Sequence, residues 1–245
     1  MTVVLKLGGS VVTRKGEPET VDEEALDRAV RAVAAVAPAD LVLVHGGGSF
    51  GHPAAEHHGV SRSDGTHDAV AVCDVHRAMV RLSEAVVTRL HGAGVRALPV
   101  RPLSAGARDA AGDLSLWPGS VETMLAAGFT PVLHGDVVAD VDRGATVVSG
   151  DELVAALSAD LSAERVGLCS AVPGVLDDAG EVVPRIERFE QVADVLGGSE
   201  STDVTGGMAA KVRTLLELGV PASIFGLDEL GAFLSGETPG TLVEA

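Results

Sequence analysis

The 245-residue sequence has no tyrosine, one tryptophan and five phenylalanines, so aromatic side chains account for only 2% of it. Hydrophobic residues still reach 46%, so valine, leucine and alanine must fill the core. Cysteine is nearly absent: Cys73 and Cys169 stand alone, with no C-x-x-C pairing, as expected of a reduced, cytoplasmic chain. No uninterrupted apolar run approaches the ~18 residues that a membrane helix needs. The first residues enter a strand at once, without a basic leader, so no signal peptide is expected. Lysine is scarce as well, confined to Lys6, Lys15 and Lys211 against fifteen arginines. With 35 acidic residues the formal net charge is −17, which argues against a nucleic-acid partner.

The acidic residues are scattered, as on a solvated surface rather than in a tail. An acidic, lysine-poor surface resembles proteins of salt-loving organisms, where high ionic strength screens self-repulsion. Against that background the three lysines matter, because each lies in or beside a glycine-rich segment. The densest is His45-Gly46-Gly47-Gly48-Ser49-Phe50-Gly51-His52, which follows the apolar run Leu41 to Val44 and reads as a loop closed by a histidine. Four glycines in six positions allow a sharp turn and a close backbone approach to an anion.

Strands are expected at 2–7, 41–44, 95–100, 130–133, 145–148, 165–169, 222–225 and near Leu242. Helices are expected at 21–36, with Thr20 or Asp22 as cap, and at 68–90, where Val72, Val75, Met79, Leu82, Val86 and Leu90 keep helical spacing. Shorter ones fall near 121–127, from Ser149-Gly150-Asp151 onward, near 188–196, after Thr205-Gly206-Gly207-Met208 through Leu218, and between the strands at 222–225 and Leu242. Residues 101–118 suggest a hairpin or flap, and 197–203 a polar stretch. The alternation predicts an α/β fold, a three-layer αβα sandwich around a mostly parallel sheet, with a soft lobe boundary at 145–150.

There is no G-x-x-x-x-G-K-[ST] phosphate loop. Gly46-x-Gly48-x-x-Gly51 fits the dinucleotide spacing, but the helix expected at 68–90 replaces the second strand and acidic residue of that motif, which disfavours a dehydrogenase. Three glycine segments remain: Gly8-Gly9-Ser10, residues 46–51, and Gly206-Gly207. Any one alone reads as an ordinary turn. Together, with a lysine in or near two of them, they suggest a site for several phosphates. Lysine suits it as a compact charge able to follow a migrating phosphoryl group.

Lys6-Leu7-Gly8-Gly9-Ser10, the His45–His52 segment, Ser149-Gly150-Asp151, and Asp203-Val204-Thr205-Gly206-Gly207-Met208 with Lys211 resemble the amino acid kinase family, in the right order along nearly the whole chain. Within it, the pattern ending in His52, with Lys15 and His134-Gly135-Asp136, is similar to the archaeal isopentenyl phosphate kinases. The resemblance implies ATP with Mg²⁺, an isoprenoid monophosphate as acceptor, a homodimer, and a single domain with a substrate lobe at about 1–148 and a nucleotide lobe at about 149–245. It implies that Lys6 and Lys211 contact the nucleotide phosphates, with Asp151 between them. Gly8, Gly9, Ser10 and Gly48 would donate to the β- and γ-phosphates, and Gly207 would approach the nucleotide. Gly47, His52 and Gly150 would hold the substrate phosphate, and Lys15 would add charge in the transition state. Ala171 and Pro173 stand where the family usually carries an aspartate near the nucleotide.

A phosphate monoester has a second pKa of about 6 and is already ionised at neutral pH, so such an acceptor needs no general base. It needs two anions held in line. A fosfomycin-type kinase or a non-catalytic nucleotide sensor are the alternatives. His57, His58, His67 and His76 match no zinc spacing and read as solvated positions. Val75 and Met79 have two readings, as core or as the lining for a short apolar tail.

Overall fold

Every residue of Val3–Leu7 (β1) is buried, and Leu41–His45 (β2) repeats the pattern. Continuous apolar runs belong to strands covered on both faces. The computed structural model describes residues 1–36, 38–197 and 207–244. Within them the remaining strands are Ala97–Pro99 (β3), Gly106–Arg108 (β4), Leu114–Leu116 (β5), Thr130–His134 (β6), Asp136–Asp140 (β7), Gly144–Val148 (β8), Arg165–Ser170 (β9), Arg185–Ile186 (β10), Ala222–Gly226 (β11) and Thr241–Val243 (β12).

Eight strands form one sheet in the order β10-β12-β11-β9-β1-β2-β6-β3. Each pairing is parallel except β11 with β12. Side chains of β1 and β2 alternate between two cores, as a pleated strand requires. Leu5, Leu7, Leu41 and Leu43 pack with the helices Glu23–Val36 and Ala69–Gly92. Val4, Val42 and Val44 pack with the helices Gly150–Asp160 and Gly207–Glu217. This is the expected three-layer arrangement. The second, four-stranded sheet β5-β4-β7-β8 was not foreseen; it contains the hairpin expected within 101–118.

Local chemistry sets the helix starts. Asp22 Oδ1 accepts from the Ala25 N–H, Asp68 Oδ1 from Val70, and Ser149 and Glu152 form a reciprocal capping box. Three expectations need correction. The strand expected at 95–100 covers only Ala97–Pro99, and the helix expected at 188–196 divides into a 3₁₀ turn, Phe189–Gln191, and Ala193–Gly197. The loop read across 45–52 is the start of a helix, Gly48–His57. Pro53 lacks the N–H that would bond the Ser49 carbonyl inside that helix. The Glu19 N–H takes the place at 2.9 Å, fastening the segment after the first glycine motif to the second. Positions 198–203 of the polar stretch, and Asp203 to Gly206 of the third motif, lie outside the described residues.

Candidate active site

Four neighbouring parallel strands end side by side. Leu7 pairs with Cys169 and His45, and His45 pairs with His134. The chain leaving three of these ends is tied to its neighbour: Gly8 N–H to Cys169 O at 2.8 Å, Gly46 N–H to Leu7 O at 3.0 Å, and Gly135 N–H to His45 O at 3.0 Å. The carboxyl edge of a parallel sheet is where ligands of open α/β folds bind. The first two glycine motifs meet there backbone to backbone. A methyl group added at Gly9 would lie 2.3 Å from the Gly48 nitrogen, and one at Gly46 2.5 Å from the Gly9 nitrogen, so neither place admits a side chain. Thr13 clips them together, donating to Gly9 O at 2.8 Å and accepting from Ser49 N–H at 3.0 Å.

Lys6 points to the other face of β1 from Leu5 and Leu7, beneath the start of the helix Gly150–Asp160. A methyl group on Gly150 would stand 3.0 Å from Lys6 Cε. Lys6 Nζ donates to Asp151 Oδ1 at 2.6 Å, and Lys211, one turn into the helix Gly207–Glu217, places its Nζ 3.8 Å from Asp151 Oδ2. Burial works against ionising Asp151, but Lys6 and Lys211 outweigh it and hold the carboxyl below its ordinary range. The aspartate is thus an anion separating two cations, at a helix N-terminus whose dipole also favours negative charge.

Other expected residues are distributed around this cluster. Gly8 and Gly9 are half-buried and Ser10 is exposed on the single turn Gly9–Val12. Gly47 caps the helix Gly48–His57, and Gly207 opens the one bearing Lys211. His52 is half-buried four residues after Gly48, hence on the same helix face. Lys15 lies on an exposed turn, outside the buried Lys6–Asp151 pair. Val75 and Met79 are each 2% exposed. Val75 packs with Ala55, Val60 and Val137, while Met79 Sδ would sit 2.5 Å from a methyl group on Gly51.

The reading of His76 as solvated is wrong. It is half-buried, and its Nδ1 lies 2.8 Å from the carboxylate of Asp136, whose side chain is fully buried. His58 likewise pairs with Asp74 at 3.3 Å. Sequence reasoning also missed Arg108. Its buried guanidinium donates to Thr146 Oγ1, Gly112 O, Val147 O and, at 2.7 Å, Glu152 Oε1. It thereby braces the capping box from which Gly150 and Asp151 project. The S-x-x-E spacing of Ser149 and Glu152 was a legible signal for half of this arrangement.

Paired lysines around an aspartate, facing glycine turns at a sheet edge, are equipment for transferring a phosphoryl group between two anions. The chain belongs to the amino acid kinase family, whose model matches residues 1–221. Over 242 residues it is 61% identical to the isopentenyl phosphate kinase of Haloferax volcanii, with 98% of each chain covered. It is 34% identical over 266 residues to that of Methanothermobacter thermautotrophicus, again with 98% of each covered. A solved isopentenyl phosphate kinase structure superposes with a TM-score of 0.85 at 28% identity, covering 98% of both chains.

Proposed function

We propose that this protein transfers the γ-phosphoryl group of ATP to isopentenyl phosphate, giving isopentenyl diphosphate and ADP. The observation that carries the reading is Asp151 set between Lys6 and Lys211 at the sheet edge where the glycine motifs meet. An ionised acceptor oxygen attacks the γ-phosphorus as the bond to the β-phosphate oxygen breaks, and no proton needs removing. Lys6 and Lys211 follow the charge from γ to β, while Asp151 keeps them apart. Gly8, Gly9, Ser10 and Gly48 donate to the nucleotide phosphates, with Gly207 close by. Gly47, Gly150 and His52 hold the acceptor phosphate, and Lys15 adds positive charge in the transition state. Val75 and Met79 close the far end against a short apolar tail.

Among the described residues no three His, Cys, Asp or Glu stand together as a cation cage. Mg²⁺ bound together with the nucleotide would supply positive charge to offset what develops on the transferred phosphoryl group. The N-terminal lobe, to about 148, takes the acceptor and the C-terminal lobe the nucleotide. The protein acts in the cytoplasm as a homodimer, which sedimentation would test. No described helix is long and apolar enough to cross a membrane.

The deciding assay compares isopentenyl phosphate, dimethylallyl phosphate and fosfomycin as acceptors with ATP and Mg²⁺ at high KCl. Isopentenyl phosphate should be preferred. No turnover of either isoprenoid monophosphate would end the proposal. In the same assay His52→Ala should raise the KM of the acceptor far more than that of ATP, and equal losses would remove His52 from the acceptor site.

A further inference from the structure

His45, the last residue of β2, is 1% exposed, and its Nε2 has no hydrogen-bond partner. Its Nδ1 lies 3.1 Å from the carbonyl oxygen of Gly46. A carbonyl only accepts, so the ring proton is on Nδ1 and is donated there. His134, its register partner on β6, repeats the arrangement. It is fully buried, its Nε2 is likewise unpartnered, and its Nδ1 lies 3.0 Å from Gly135 O, with the two rings 5.5 Å apart. An apolar side chain at either place would strand no nitrogen in the core, so what sets the histidines apart is the donor on Nδ1.

The direction of that donor follows from strand alternation. Leu41 and Leu43 face the helix Ala69–Gly92, and His45 continues their side. Lys6 points to the opposite side, with Gly150 and Asp151. All peptide bonds described are trans, and a trans peptide directs its C=O and N–H oppositely. Drawing the Gly46 carbonyl toward the imidazole therefore turns the Gly47 N–H toward the Lys6 side. None of the hydrogen bonds among the described residues uses that N–H.

We propose that His45 is a positioning residue that locks the Gly46–Gly47 peptide, presenting the Gly47 N–H to the phosphate end of the acceptor. The inference rests on the functional reading above and adds to it the group that orients a donor. Burial, reinforced by His134, pulls the His45 pKa down to about 3, so the ring stays neutral in working conditions and its donor pattern does not change.

The test compares His45→Asn, whose amide nitrogen replaces Nδ1, with His45→Gln, whose amide reaches one bond further, and with His45→Leu. Acceptor and ATP KM values, kcat and thermal midpoints are measured. In parallel, inorganic phosphate is titrated against ¹⁵N-labelled protein while the Gly47 amide is observed. His45→Gln and His45→Leu should weaken phosphate binding and raise the acceptor KM by about tenfold or more, the scale of a lost charge-assisted contact. His45→Asn should stay within about threefold of wild type, even where its thermal midpoint falls as far as that of His45→Gln. ATP KM should stay within about twofold in all. Should His45→Leu not fold, the Asn and Gln pair alone decides. His45→Asn as impaired as His45→Gln, or a Gly47 amide answering phosphate equally in every protein, would overturn the inference. Wild-type protein inactive on isopentenyl phosphate would overturn the proposed substrate instead, leaving the phosphate titration to decide the role of His45.

Discussion

Lys6 Nζ stands 2.6 Å from Asp151 Oδ1, joining the fourth residue of β1 to the second residue of a helix 145 positions later. The contact bridges the sheet and the helix layer, and Lys211 adds a third element to it. Charge at this point therefore ties the sheet to two helices.

Asp151→Asn should lower both stability and turnover. Removing the anion leaves two lysines facing one another beneath a helix N-terminus. Breaking a buried pair from one side costs about 3–5 kcal/mol, and the lower end applies because these side chains retain slight exposure. Turnover should fall by about 100-fold, as when a preorganised electrostatic group is lost. Thermal unfolding and kcat measured on the same preparation test this, and near-wild-type kcat in a destabilised protein would make Asp151 a structural residue only.

Lys211→Arg keeps the charge and should still lower kcat by about tenfold or more. A guanidinium is a planar fork suited to a fixed bidentate partner, whereas the ammonium can turn between Asp151, the Gly207 carbonyl and a moving phosphoryl group. Single-turnover rates and nucleotide affinity separate the two contributions. Unchanged kcat would show that charge alone suffices at this position.

The residues that are legible in sequence are those whose signals are local. The runs ending at Leu7, Val44 and Leu133 mark buried strands, and the glycines after them mark where the chain turns at the sheet edge. The helix Gly48–His57 is not legible, because Gly48, Gly51 and Pro53 depress helix propensity in its opening turns and two more glycines precede it. Tertiary contacts hold it: Glu19 N–H on the Ser49 carbonyl, and Phe50 and Ala55 in the core. His76 gives no local sign of its partner, since Asp136 is 60 residues away. Arg108 and Glu152 are separated by 44 positions and meet only when the small sheet packs on the helix Gly150–Asp160.

Two glycine substitutions separate steric need from backbone preference. Gly48 has φ +48°, and a methyl group there would lie 2.0 Å from Thr13 Oγ1 and 2.7 Å from the Gly9 carbonyl oxygen. Gly59 has φ +63° with nothing within 4 Å. Gly59→Ala should cost about 1 kcal/mol from conformational strain, with activity intact. Gly48→Ala should cost more and abolish turnover, since Thr13 and Gly9 cannot retreat without separating the glycine motifs. Denaturant midpoints and kcat for the pair test this, and equal effects would mean that only φ matters at Gly48.

The buried histidines set how stability responds to acid. Burial lowers the pKa of His45 to about 3, and the nearness of His134 adds to the depression because two protonated rings would repel. It lowers that of His134 against the pull of Asp136 and the Gly135 carbonyl, with His76 and Arg101 adding to the depression. In the unfolded chain both titrate near 6.5. Between those limits the unfolded state binds protons that the folded state refuses, so stability rises with pH and falls as the solution is acidified below 6.5. Each group contributes a slope of about 1.4 kcal/mol per pH unit while it is protonated only in the unfolded chain. Asp151 acts at lower pH: its depressed pKa supplies stability above 3.8 that is lost as pH falls through the folded value. The interval from about 6.5 to 5 therefore isolates the histidines, because unperturbed carboxylates titrate below it. Urea unfolding at constant ionic strength should show His45→Asn with a shallower slope than wild type in that interval, since the proton that the unfolded chain takes up at His45 is no longer counted. An unchanged slope would mean that His45 takes up its proton in the folded protein as readily as in the unfolded chain.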